Sequence, residues 1–286
     1  MADIEIIDTM KAAPRAKTQI FTLKPPAASQ KTLLQLARPF EPSQKGRFTQ
    51  DPSKLTYTDG PHLFTLYRAS GAFRYQDQTR WQRDDGTANT QIQDAEAVKL
   101  AQRVVGQYAL APLNELQLLK VTRLNVGSFG AEGGKPDQRV IDIGVAFQRT
   151  IAGVPVDGPG GKVIVYLDHE GKPTGFDRTW RETAAVYKPV ESLLSPQNAQ
   201  AQLERYWRAQ PGLIQVTGTR FGYFERGPQE TQRYMQPAYV FLLTLMSPEQ
   251  RMTMNTAFVV AAATNAVGTI MPPAKKVVSQ PVREGN

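Results

Sequence analysis

The chain has 286 residues, 41% of them hydrophobic and 21% charged, and no cysteine. Disulfides, thiolate metal sites and cysteine nucleophiles are excluded, and the rest is a globular composition long enough for two ordinary domains. The net charge of +8 sits mostly at the ends: residues 1–54 hold nine Lys/Arg against five Asp/Glu and residues 271–286 three against one, which leaves +2 for residues 55–270.

Those remaining basic residues are scattered, and no basic stripe interleaved with aromatics occurs, so no nucleic-acid partner is expected. The longest apolar run, Ala257–Ala263, is far shorter than the roughly 20 residues a spanning helix needs, so no membrane span is expected. The opening MADIEIIDTMKAAPRAK has no apolar stretch of leader length. As written the chain is expected in the cytoplasm; an extracytoplasmic location follows if a leader has been removed.

In chain order, residues 1–54 read as an extended basic arm, with KPPAAS and EPSQKG as loop material and Lys31–Arg38 as two helical turns. Residues 55–90 read as an N-terminal hairpin: Leu63, Thr65 and Tyr67 alternate with Phe64, Leu66 and Arg68, a turn follows at Ala69-Ser70-Gly71, and Phe73 and Tyr75 resume the alternation. Residues 91–190 form a first unit. Its helix starts at Asp94 as N-cap and carries Ala97, Ala101, Val104, Val105 and Tyr108 on one face. Strands follow at about Leu116–Val126, Arg139–Arg149, Val163–Leu167 and Pro173–Arg181, with a glycine-rich loop at Gly127–Pro136. Residues 191–270 repeat the order. Ser195-Pro196 starts a helix with Ala199, Leu203, Tyr206 and Trp207 on one stripe, and strands lie at about Ile214–Glu225, Gln232–Met246 and Arg251–Ala262. Residues 271–286 read as a disordered tail. The fold class expected from this order is α+β, two units side by side, each with one helix covering an antiparallel sheet.

Val145–Lys172 carries a more specific pattern. Phe147-Gln148 ends an apolar strand, Gly153-Val154-Pro155-Val156 turns a corner, Gly158 is spaced beyond it, and Lys162–Leu167 runs to Asp168 and Gly171. This resembles the fungalysin/thermolysin propeptide motif and the related PepSY modules, and Pro237-Ala238-Tyr239-Val240-Phe241 is similar to a strand of their tandem versions. The resemblance implies two cystatin-like units, each a curved antiparallel sheet on one helix, and non-catalytic work as an inhibitor, chaperone or accessory subunit. The implied partner is another protein or peptide, a peptidase among the candidates. The chain departs from the family in lacking His-Glu-x-x-His and in carrying the arm and hairpin.

The residues themselves offer little catalytic chemistry. The two histidines, His62 and His169, flank turns, and Asp168, His169 and Glu170 are too close in sequence to converge on one ion, so no metal site and no cofactor is expected. The glycines of Gly153–Gly161 fit corner geometry better than a phosphate loop, because no helix opens behind them. The alternative reading is a small-molecule enzyme or binder of isomerase or cyclase type, with a cavity in a curved sheet. Its candidate catalytic residues are Asp142, Asp177 and Tyr239, with Arg178, Trp180 and Tyr223 as candidate binding residues. Asp142, a lone carboxylate opposite Ile141, Ile143 and Phe147, ordinarily faces water; in a cavity its pKa would rise and it would serve as a base.

Overall fold

The structure, a computed structural model, describes residues 3–8, 10, 12, 14, 17–43, 45–83, 89–128, 137–208, 212–247 and 252–270. The expected turn at residues 84–86, most of the loop 127–136, the turn at residues 248–249, the helix stop Pro211 and the tail 271–286 therefore lie outside the described residues.

The chain begins with strands β1 (Asp3–Ile6) and β2 (Gln19–Leu23) and helix α1 (Gln30–Ala37). An antiparallel run follows: β3 (Arg47–Gln50), β4 (Lys54–Asp59), β5 (His62–Tyr67) and β6 (Phe73–Asp77). Helix α2 (Asp94–Gln107) precedes the long strands β7 (Leu116–Ser128) and β8 (Asp137–Ile151). Then come β9 (Val154–Asp157), β10 (Lys162–Asp168), β11 (Pro173–Thr179) and β12 (Thr183–Pro189). Helix α3 (Pro196–Trp207) is followed by β13 (Leu213–Phe224), β14 (Tyr234–Met235), β15 (Pro237–Ser247) and β16 (Met252–Ala261).

Two separate cystatin-like units are not what these elements build. The fold is mostly β, with 49% strand and 17% helix. Thirteen strands join one mixed sheet in the order β16-β15-β13-β9-β8-β10-β11-β6-β5-β4-β3, with β1 added to β13 and β7 to β8. Three features account for the difference. The expected hairpin is no appendage, because Phe73–Gln76 of β6 pairs with Gly175–Arg178 of β11 and carries the sheet on to β3. Residues of the N-terminal arm supply β1, parallel to β13, and β2, the middle strand of a small sheet between β12 and β14. Finally, Val156 and Asp157 pair in parallel with Tyr223 and Phe224, which makes one sheet of two halves.

Local sequence explains the elements. On β8, Ile143, Val145 and Phe147 are fully buried and face the stripe Ala97, Ala101, Val104 and Val105 of α2, with Val163, Val165 and Leu167 of β10 beside them. Phe40, after α1, stacks on Tyr75 at 4.1 Å and Tyr108 at 4.4 Å between ring centroids, joining the run β3–β6 to α2. In the other half Ala199 and Leu203 of α3 cover Val216, Tyr239, Phe241 and Val260. β15 is buried on its second face as well, where Ala238 and Val240 pack with Phe224 and Val259. Helix α2 is capped differently from the expectation: Gln93 is its N-cap and makes no side-chain capping bond, and Asp94 lies in the first turn.

Candidate functional site

The segment Gly153–Gly161 is where the halves meet. Ala152 (φ 50°) and Gly153 (φ 78°) make the two-residue turn between β8 and β9, both in the left-handed region that such a turn requires. The chain then leaves β8, pairs briefly with β13, and returns at β10. Gly158 and Gly160 allow this, because a Cβ on Gly160 would stand 2.5 Å from the Arg226 carbonyl, and one on Gly158 would strike the Glu225 carbonyl and the Phe224 ring. The Gly160 amide donates to Glu225 O at 3.0 Å and the Glu225 amide to Asp157 O at 2.9 Å.

Charge is buried at the same place. Arg181, two residues after β11, and Glu225, after β13, form an ion pair at 3.2 Å with side chains 3% and 0% exposed. The Arg181 guanidinium also donates to the carbonyls of Arg226 (2.7 Å), Gly227 (2.9 Å) and Glu230, so that one half plugs into a loop of the other. Burial pushes the Glu225 carboxyl up and Arg181 opposes it; burial likewise pushes Arg181 down and Glu225 opposes it. Behind them Arg149 pairs with Glu115 at 2.8 Å and stacks over the Trp180 ring at 4.7 Å.

Beside this joint lies a hollow of about 460 Å³. Phe224, Val240, Ala257, Val259 and Leu119 form its apolar wall; Lys162, Arg220, Arg226, Asp157 and Glu230 stand around it. The Lys162 ammonium donates to the Gly158 and Gly160 carbonyls, and burial pushes its pKa down. Arg220 approaches Asp157 at 3.6 Å.

The candidate residues named from sequence fall into three places. Asp142 and Asp177 share the face of the sheet opposite α2. Asp177 is tied up there by Arg74, whose Nη2 donates at 2.8 Å, and by the Tyr166 hydroxyl at 3.0 Å. Asp142 does not face water: it is 3% exposed, and burial lifts its pKa to about 7. The nearby amides of Ile143, Gln82 and Leu167 oppose that lift and Asp168 adds to it, but among the described residues none of these amides reaches either oxygen with full hydrogen-bond geometry. Arg178 and Trp180 lie at the end of α2, where Arg178 Nε donates to Leu110 O at 2.6 Å, beside a second hollow of about 480 Å³. Tyr223 and Tyr239 belong to the other core; Tyr223 accepts from the Gln19 amide at 3.1 Å and Tyr239 donates to Leu194 O at 2.7 Å. The six residues do not converge on one cavity.

The groups that do converge at the joint were read from sequence as loop material. Asp157-Gly158-Pro159-Gly160-Gly161-Lys162 and Glu225-Arg226-Gly227-Pro228 are both turn-rich runs carrying charge, and only their pairing across 60-odd residues, by the register of β9 on β13, makes them one place. Among the described residues no cluster of His, Asp and Glu could hold a metal ion, and no helix is long and apolar enough to cross a membrane.

One further feature is exposed. Among the described residues β7 pairs with β8 alone, and Leu118, Leu119 and Leu124 are 46%, 37% and 38% exposed on it. No protein-family model and no curated protein matches the chain. Among solved structures it is similar to the crystal structure of an uncharacterized protein from Eubacterium rectale, at 12% identity and a TM-score of 0.53 over 94% of this chain and 90% of that one, a likeness of fold.

Proposed function

We propose that this chain is a non-catalytic binding module that takes an extended protein or peptide segment along the free edge of β7. The observation that carries the reading is the edge itself: 13 residues of strand paired, among the described residues, on one side only, with three exposed leucines. Long edges are templates for strand addition and are ordinarily shortened, bulged or charged; β7 keeps its length and its leucines, and carries two bulges, at Leu118/Lys120 and Leu124/Asn125, with Lys120 and Arg123 between them, so the regular stretch open to an added strand is residues 120–124. The backbone groups of an added strand supply affinity, and the alternating side chains supply selectivity. β16 is a second edge, but Tyr206 and Trp207 of α3 stack on its Phe258, which covers part of it. The likeness of Val145–Lys172 to propeptide modules supports the same reading, and so does the dispersal of the six candidate residues.

The test is hydrogen exchange on the full chain with a partner recovered from a native lysate. The partner slows exchange of the amides in residues 116–128, and the double variant Leu118→Lys/Leu124→Lys, which charges the edge, abolishes both capture and protection. A partner that binds this double variant as well as the wild type, or leaves β7 exchange unchanged, overturns the reading.

A further inference from the structure

We propose that the hollow at the joint is a binding site for a small aliphatic carboxylate, a monoanion with an apolar body. This goes beyond the β7 reading and shares only Leu119 with that edge. Its volume, about 460 Å³, lies within the range of small-molecule sites, roughly 300–1,000 Å³. The wall of Phe224, Val240, Ala257 and Val259 belongs to β13, β15 and β16, and it is one face of the buried cluster those strands share. A hydrocarbon chain finds there the kind of surface that excludes water.

Charge selects the head group. Three cations, Lys162, Arg220 and Arg226, line the hollow against two carboxylates, Asp157 and Glu230. Arg181 and Glu225 behind them neutralise each other. The surroundings are thus one negative charge short of balance. Two of the cations donate to carbonyls: Lys162 to those of Gly158 and Gly160, with Asp157 and Glu225 also acting on its charge, and Arg226 to those of Thr231, Thr269 and Ile270. Carbonyl dipoles orient a cation without cancelling its charge, so an anion entering the hollow meets a field already fixed in place. Arg220 is the more exposed member; its side chain is 51% exposed, and its contact with Asp157 is long at 3.6 Å. A carboxylate between Lys162 and Arg220 restores balance while its alkyl chain lies on Val240 and Val259.

Titration calorimetry of the full chain with octanoate, and with octan-1-ol as the uncharged match, tests this. Octanoate binds in the micromolar to millimolar range, and octanol at least about tenfold more weakly, the difference expected for losing one charge-assisted hydrogen bond. Arg220→Gln, at a half-exposed position, weakens octanoate about tenfold without changing octanol binding. Lys162→Gln does the same, and because Lys162 also ties the glycine segment, its melting curve is recorded alongside. Equal binding of acid and alcohol, absence of octanoate binding, or an Arg220→Gln variant with wild-type affinity overturns the site. So does a peptide ending in leucine that binds there more tightly than octanoate, since the hollow would then belong to a protein terminus.

Discussion

Asp142 stands directly across from Asp168 in the pairing of β8 with β10. Asp168 has partners, accepting from Arg80 at 2.9 Å and from the amides of Glu170 and Lys172; Asp142 has the burial without the partners. Its folded-state pKa of about 7 lies above the roughly 3.9 of an unfolded aspartate, so the folded chain holds the proton more tightly. Below pH ~4 both states are protonated and the site costs nothing. As pH rises from there to 7 the unfolded state ionises and the folded state does not, and stability falls; above 7 the loss is complete. Asp142→Asn is therefore expected to be more stable than the wild type at pH 8 by on the order of 4 kcal/mol, and nearly equal to it at pH 4, by urea unfolding at the two pH values. Equal stabilities at pH 8 would mean that Asp142 meets water or a cation in solution.

At the scale of elements, the chain's local chemistry was legible wherever one residue type decides the outcome. Ser195 caps α3, its Oγ accepting from the Asn198 amide at 3.1 Å with Pro196 at the first helical position, as Ser-Pro before an apolar stripe suggests. Ser195→Ala is expected to lower the unfolding free energy by about 1 kcal/mol, measured as a shift in the urea midpoint with unchanged slope. The alternation Ile143, Val145, Phe147 marks the face of β8 that packs on α2, but the opposite face, with Asp142, Ala146 and Gln148, is buried as well. Pairing between distant elements was not legible in the same way. Nothing in Phe73–Asp77 says that its free side will meet β11, since an exposed edge and a central strand of a mixed sheet can share one alternating pattern. The pattern of Gln19–Leu23 was overlooked inside a Pro-rich arm, because a five-residue strand between Pro-containing segments looks like a linker until β12 and β14 are placed on either side. Asp142 was assigned to water for a related reason: the face opposite a helix is ordinarily solvated, and the turn at Thr79–Gln82, with Trp81 set edge-on against Tyr166 at 4.4 Å, covers it.

The whole molecule poses a question that neither half answers, namely whether it unfolds as one body. Among the described residues there are two main cores, one under α1 and α2 and one under α3, with a smaller buried cluster on the other face of β15, and the main sheet crosses between the halves through two residue pairs, Val156–Tyr223 and Asp157–Phe224. The crossing is reinforced by Arg181 and Glu225. A buried pair of this kind contributes little net stability against well-packed apolar replacements, yet removing one partner leaves a charge stranded and costs roughly 3–5 kcal/mol. Glu225→Gln and Arg181→Met are each expected to destabilise by about that amount, and the double variant Arg181→Met/Glu225→Met by less than the sum. The tryptophans separate the halves: Trp180 belongs to the first core and Trp81 packs on Tyr166, whereas Trp207 packs against the second core. In the wild type, fluorescence from a variant keeping only Trp207 and from one keeping only Trp180 should report a single shared transition. Gly160→Val places side-chain atoms on the Arg226 carbonyl and on Glu225, so it disrupts the joint while leaving both cores filled. It is expected to split the unfolding curve in two, with Trp207 and Trp180 changing at different urea concentrations. Coincident curves in this variant would show that the halves are held together elsewhere, through the arm: β2 binds β12 and β14, and the Gln19 amide reaches Tyr223.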